Sequence, residues 1–141
     1  MKIAVRAIII HEKKALLVQH HGRDFFALPG GKIEEGENLQ AALVREIEEE
    51  LGVTPEIGKM LYVHEFCYPG GDMSIEFFFL VNNGQDFKGE LKGSHTEAEI
   101  AEISWKNIYE KLDIMPRYLQ FDLPQIAKKS YTKETQYRTE F

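Results

Sequence analysis

Three glutamates, Glu46, Glu49 and Glu50, are spaced so that they would share one face of a helix. At this spacing of i, i+3 and i+4, like charges repel by about 0.2–0.5 kcal/mol per pair. A divalent cation bound between them would turn the repulsion into coordination, because hard cations prefer oxygen ligands. A solvated acidic face is the other interpretation. Composition alone does not decide between the two.

The helix that would carry these glutamates is predicted from Asn38 to Leu51. Asn38 is a good N-cap, Gly52 stands where a C′ glycine ends a helix, and no proline interrupts the residues between them. Apolar residues recur along one stripe of this helix and would pack it against a core. The stripe consists of Leu39, Leu43, Ile47 and Leu51.

The spacing of nine residues favours the metal interpretation. They fit each position of the pattern G-x5-E-x7-R-E-U-x-E-E-x-G-U, where U is a bulky aliphatic residue: Gly31, Glu37, Arg45, Glu46, Ile47, Glu49, Glu50, Gly52 and Val53. On this motif, the Nudix box, the sequence resembles the Nudix hydrolases. At ordinary residue frequencies such a match should arise by chance in far fewer than roughly one chain in a million.

The resemblance implies the Nudix fold, an α/β (α+β) architecture in which a mixed β-sheet lies between helices and a loop–helix–loop carries the box. The chain length suits a single Nudix domain over residues 1–141. Residues 126–141 are polar and weakly periodic, which predicts a frayed helix or a flexible tail.

Other segments have the patterns of strands and of a further helix. Lys2–Ile10 and Ala15–Gln19 are predicted to form a hairpin of central strands. Lys59–Tyr68 and Met73–Val81 are predicted to form a second hairpin. Asn107–Leu112 is predicted to be a short helix.

The resemblance also implies a reaction, in which water attacks one phosphorus of a nucleoside diphosphate linked to another moiety. One to three Mg²⁺ ions, with Mn²⁺ as an alternative, would separate the anionic substrate from the acidic helix. By analogy with the family, the ligands would be the carbonyl of Gly30 and the carboxylates of Glu46, Glu49, Glu50 and Glu99.

A general base must take a proton from the attacking water. Glu46 is the first choice for this base. Glu99, six residues before Trp105, is the alternative, because members of the family differ in this respect. If the loop aligns differently, Glu97 or Glu102 would replace Glu99.

Arg45 lies one helical turn before Glu49 and is predicted to hold that carboxylate with two hydrogen bonds. Glu37 comes just before the N-cap and is predicted to tie the loop to the start of the helix. A solvated acid is the alternative for Glu37.

Three residues are candidates for substrate binding. Arg23 lies in a polar loop, and Phe26 lies near the position where many Nudix proteins place an aromatic residue that contacts the nucleotide. A core position is an equal alternative for Phe26. Tyr68 lies near a tyrosine associated with diadenosine polyphosphate hydrolases, and Pro69 near a proline of ADP-ribose pyrophosphatases. The substrate therefore stays open between ADP-ribose, nucleotide sugars, dinucleoside polyphosphates and oxidised or normal nucleoside triphosphates.

Composition and charge limit the partners. The net charge of −6 argues against polymeric nucleic acid as a ligand. No apolar run approaches the roughly 18 residues of a membrane span, and the first residues lack the features of a signal peptide. We expect a cytoplasmic protein that acts on a small nucleotide. A homodimer is one option, since many Nudix proteins dimerise.

Single residues outside the motif add little. The only cysteine, Cys67, excludes an internal disulfide. His20 and His21 are interpreted as an exposed pair in a loop, without a role in chemistry.

A second class of function remains open beside hydrolysis. A Nudix-fold sensor would bind a nucleotide without turnover. Such proteins usually lose residues of the box, whereas none is missing here. An unrelated domain with an acidic surface helix is disfavoured by the spacing.

Overall fold

The computed structural model describes residues 1–128 and 131–140. Within them the helices are α1 (Leu39–Leu51), α2 (Thr96–Glu99) and α3 (Leu119–Ile126), and Gly84–Phe87 forms a turn of 3₁₀ helix. The strands are β1 (Lys2–Ile8), β2 (Ile10–His11), β3 (Lys14–His20), β4 (Phe26–Ala27), β5 (Gly30–Lys32), β6 (Ile57–Cys67), β7 (Met73–Val81), β8 (Ile100–Asn107), β9 (Ile114–Met115) and β10 (Gln136–Glu140).

The strands form two mixed sheets. The first has the order β10-β6-β7-β1-β5, with β1 parallel to β7 and antiparallel to β5. The second has the order β2-β3-β4-β9, and β8 also pairs with β3. One mixed sheet was predicted, and the structure has two.

Helices pack against both faces of these strands. Leu16 and Val18 of β3 belong to the cluster that buries α1, whereas Ala15 and Leu17 belong to the cluster that buries α3. Successive side chains of a strand point to opposite faces, so α1 and α3 lie on opposite sides. The predicted α+β architecture, with mixed sheets between helices, is confirmed.

The predicted hairpin between the first two apolar segments is confirmed only next to its turn, where Ile10 pairs with Ala15, and is wrong for β1. Only the two residues of β2 pair with β3, while β1 pairs with β5 and β7 in the other sheet. Apolar alternation predicts a strand but does not identify its partner. The second predicted hairpin, between β6 and β7, is confirmed.

Two further predictions near the C-terminus are wrong. Residues 108–110 form a turn and a bend, not a helix. In place of a frayed helix or flexible tail, α3 extends to Ile126 and Gln136–Glu140 forms β10, which runs parallel to β6. Residues 129, 130 and 141 of the predicted tail lie outside the described residues.

Among the residues that the structure describes, no helix is long and apolar enough to cross a membrane.

Candidate active site

Caps at both ends determine where α1 begins and ends. The side chain of Asn38 accepts a hydrogen bond from the N–H of Ala41 at 2.8 Å. Gly52 has a φ of 74° and donates its N–H to the carbonyl of Glu48. The predicted ends of the helix are therefore confirmed. Its buried face includes Leu43 and Ile47, as predicted from the apolar stripe.

Three carboxylates meet at the side of α1. Glu46 and Glu50 of α1 and Glu99 at the end of α2 each offer an oxygen, and these oxygens lie within 4.8 Å of one another. Hard oxygen donors at this spacing suit Mg²⁺ or Mn²⁺. We call these three residues the carboxylate cluster.

The environment of the Glu50 carboxylate indicates that the carboxylate cluster fits a cation. Its side chain is fully buried, and Oε1 accepts the N–H of Gly30 at 3.1 Å. Oε2 is buried and has no hydrogen-bond partner among the described residues. A buried acceptor left without a partner costs about 1–3 kcal/mol. A cation bound to the cluster would satisfy this oxygen.

Burial shifts the protonation of two cluster members. It raises the pKa of Glu50 to about 8, and the opposing charge of Arg6 only partly offsets this effect. Burial also raises the pKa of Glu46, against the opposing effect of Arg45. In the metal-free protein Glu50 therefore holds a proton at neutral pH, which a cation would displace.

Glu49 lies outside the carboxylate cluster in this structure. Its Oε2 is 3.2 Å from an Arg45 terminal nitrogen and 3.0 Å from Nδ1 of His95. The backbone N–H of His95 also donates to the Glu49 carbonyl at 2.9 Å. His95 thus ties the segment that carries Glu99 to α1. No local pattern of residues predicts this role for His95, because the contact with Glu49 spans 46 positions of the chain.

Arg45 contacts Glu49 as predicted, but with a different geometry. Its Nε and one terminal nitrogen bind the two oxygens of Glu37, at 2.7 and 3.0 Å. The other terminal nitrogen binds Glu46 Oε1 at 3.0 Å and Glu49. The prediction that Arg45 holds Glu49 with two hydrogen bonds is therefore wrong, because only one is present. Long helical side chains point toward the helix N-terminus, which is where Glu37 lies.

Glu37 ties the loop to the helix, as predicted. Besides the two bonds from Arg45, it accepts the N–H of Glu34 at 2.8 Å. The hydrogen bond from Arg45 lowers the pKa of Glu37.

A cleft of about 600 Å³ opens beside Glu99. Among the predicted substrate residues, Arg23 and Tyr68 line it. Phe25 lines the cleft where Phe26 was predicted. Phe26 packs on the cluster that buries α3, and Lys106 Nζ lies 4.6 Å from the centre of its ring. Phe26 therefore takes the core position that was the alternative to substrate binding. A shift of one residue along a strand moves a side chain to the other face.

The wall of this cleft carries basic side chains that sequence reasoning did not select. They are Lys2, Arg6, His20 and His21, in addition to Arg23. The interpretation of the two histidines as an exposed pair is wrong for His20, which is only partly exposed. Burial, followed by the charge of Arg6, lowers the pKa of His20.

Acidic and basic side chains therefore line the same cleft. Glu99 of the carboxylate cluster lies at its edge, and cationic side chains line the same space. An anionic ligand could reach the basic wall directly and reach the carboxylates through a bound cation. Phosphate groups meet both conditions.

Comparison with known proteins gave concordant matches. A family model described as the NUDIX domain matches residues 1–122. The chain is 43% identical over 129 residues to an ADP-ribose pyrophosphatase of Methanocaldococcus jannaschii, covering 89% of this chain and 70% of that protein. It is 32% identical over 85 residues to an 8-oxo-dGTP diphosphatase of Escherichia coli, covering 57% of this chain and 65% of that protein.

Among solved structures, the chain resembles that of a MutT NUDIX hydrolase from Burkholderia pseudomallei, with a TM-score of 0.72. The identity is 23%, and the match covers 89% of this chain and 98% of the other. At this identity the similarity concerns the fold.

Proposed function

The chain belongs to the Nudix hydrolase family, and we propose that it is a Mg²⁺-dependent pyrophosphohydrolase of a nucleoside diphosphate linked to another moiety. As a member of this family it acts on phosphoric anhydride bonds. The observation that carries the proposal is the carboxylate cluster, with its unpartnered buried oxygen, at the edge of a cationic cleft.

ADP-ribose is the substrate we propose first. The relative that is 43% identical over most of this chain is named an ADP-ribose pyrophosphatase. The relative named an 8-oxo-dGTP diphosphatase matches a shorter part at lower identity. Nucleotide sugars, dinucleoside polyphosphates and nucleoside triphosphates are the other candidates.

Glu46, Glu50 and Glu99 would hold the metal, with the Gly30 carbonyl and Glu49 completing the ligand set proposed by family analogy. Glu49 would join by leaving its contact with His95. When bound, Mg²⁺ polarises the phosphoryl oxygens and lowers the pKa of the attacking water.

Glu46 is proposed to accept the proton of the attacking water at Oε2. Arg45 binds the other oxygen, Oε1, which holds the carboxylate in one orientation. Oε2 faces Gly31, where a Cβ atom would lie only 2.5 Å away. Glycine at this position therefore leaves room beside the oxygen that takes the proton.

A substrate panel tests the proposed function. Purified protein with Mg²⁺ is incubated with ADP-ribose, a nucleotide sugar, a dinucleoside polyphosphate, 8-oxo-dGTP and normal nucleoside triphosphates, and products are separated by chromatography. We expect mononucleotide release, with the highest kcat/KM for ADP-ribose. A nucleotide-binding sensor would bind members of the panel and release no product from any of them.

The choice of base predicts different pH profiles for two variants. Wild-type kcat/KM should fall toward low pH as the base is protonated. At saturating Mg²⁺, Glu46→Gln should lose roughly 10²–10⁴-fold in kcat and no longer show this acid limb. Glu99→Gln should lose less of its kcat and should keep the acid limb of the pH profile. The opposite pattern would make Glu99 the base and Glu46 a ligand only.

A further inference from the structure

A largely buried ion pair joins β1 to β7 at the floor of the cleft. Arg6 Nε lies 2.9 Å from Glu76 Oε1, and the two side chains are only 14% and 9% exposed. Removing an ion pair from water costs several kcal/mol per ion, so such pairs often add no net stability. The pair therefore calls for an explanation other than stability.

Glu76 occupies only one edge of the Arg6 guanidinium. The hydrogen bond runs from Nε, and both residues line the cleft. Neither terminal nitrogen of Arg6 has a hydrogen-bond partner within residues 1–128 and 131–140. Neither is among the fully enclosed atoms that lack a partner. The terminal N–H groups are thus open to a ligand, and their planar geometry matches two oxygens of a phosphate.

Arg6 also lies next to the carboxylate cluster. It is opposite Gly30 in the pairing of β1 with β5, and a Cβ on Gly30 would lie 2.8 Å from the Arg6 Cα. Gly30 in turn donates its N–H to Glu50. A group bound to Arg6 is therefore one strand away from the proposed metal ligands.

Further positive charge surrounds this position. Lys2 and Arg23 line the same cleft, and the pKa of Lys2 is lowered by burial and then by the charge of Arg6. Placing the ammonium of Lys2 near the guanidinium of Arg6 costs energy, because like charges repel. A bound anion would offset this repulsion.

We propose that Arg6 binds non-bridging oxygens of the substrate diphosphate, and that Glu76 is the positioning residue that holds its guanidinium. This inference rests on the proposed function, since it names a substrate contact of the same site. Arg6 would balance the phosphoryl charge that the metal leaves exposed.

The test measures binding without turnover. The probe is α,β-methylene-ADP, a diphosphate with a non-hydrolysable bridge, titrated by calorimetry in the presence of Mg²⁺. In the double variant Arg6→Gln/Glu76→Gln, both charges are removed, so no unpaired buried carboxylate remains. We expect its Kd to rise at least tenfold, or about 1.4 kcal/mol. Glu76→Gln alone should raise the Kd by a smaller factor.

Arg138→Gln is the matched control. It removes another arginine–carboxylate pair, with Asp122 at 3.1 Å, whose residues do not line the cleft. Its Kd should equal that of the wild type. If the double variant fails to fold by circular dichroism, Arg6→Lys replaces it. Lysine keeps the charge but lacks the planar pair of donors, so the Kd should still rise several-fold.

The outcomes separate this inference from the proposed function. A wild-type Kd in the double variant, or an equal loss in Arg138→Gln, overturns the role of Arg6. Absence of binding by the wild-type protein overturns it as well. If the wild type binds through Arg6 but hydrolyses no member of the panel, the role of Arg6 stands and the hydrolase proposal fails.

Discussion

Glu50→Gln is expected to lower kcat by roughly three orders of magnitude while the fold is retained. Glutamine has nearly the same shape and can still accept the N–H of Gly30 through Oε1. It cannot supply the negatively charged oxygen that a carboxylate would offer to a bound cation. The measurement is the steady-state rate at saturating substrate and Mg²⁺. Activity within a few-fold of the wild type would remove Glu50 from the proposed metal site.

The same substitution should stabilise the metal-free protein at neutral and alkaline pH. The pKa of Glu50 is raised to about 8 in the folded state from an ordinary value of 4.5. The folded state therefore binds more protons than the unfolded state between these values, and its stability falls as pH rises through this window. Glutamine does not titrate and should abolish this contribution.

The expected gain is about 3 kcal/mol near pH 7 as an order of magnitude. Urea unfolding in EDTA at pH 5 and pH 8 measures it. The stabilities of wild type and variant should diverge toward pH 8. A constant difference between them at the two pH values would mean that Glu50 does not titrate with a raised pKa.

Gly30→Ala should have the largest effect on stability. Gly30 has a φ of 144°, which residues with side chains rarely adopt, and a Cβ would lie 2.0 Å from the backbone oxygen of Val5. Neither β1 nor β5 can move without breaking the sheet. We expect a loss of about 4 kcal/mol or more, measured by urea unfolding.

Gly31→Ala is the matched control for that substitution. There the added Cβ meets the carboxylate of Glu46, which is the end of a side chain and can rotate away. This variant should fold normally and lose activity, because Glu46 is displaced. If Gly31→Ala were the less stable of the two, the conflict with Glu46 would not be the main effect.

The helix and its ends could be predicted from the sequence because their causes are local. Asn38 and Gly52 form caps with residues of the same helix, and the spacing of the glutamates sets which of them share a face. That Glu46 and Glu50 would lie together followed from this spacing. That Glu49 would turn toward His95 did not, because the partner comes from a distant segment.

Features that depend on long-range contacts were missed. β10 is a polar edge strand without apolar alternation. It is held by pairing with β6, by the bond from Tyr137 to Glu65, and by Arg138, which lies 4.7 Å from the ring centre of Tyr118. Arg6 likewise lies in an apolar strand, and its ion-pair partner Glu76 comes 70 positions later in the chain. Periodicity carries no information about such partners.

Metal dependence of ADP-ribose hydrolysis is the most direct measurement of the central proposal. Protein freed of metal with EDTA is mixed with ADP-ribose, and the products are followed by phosphorus NMR before and after Mg²⁺ is added in excess. The predicted result is no product before the addition, and AMP with ribose 5-phosphate after it. An equal rate in EDTA, or no cleavage at saturating Mg²⁺, would contradict the proposal that the carboxylate cluster holds a catalytic metal for this substrate.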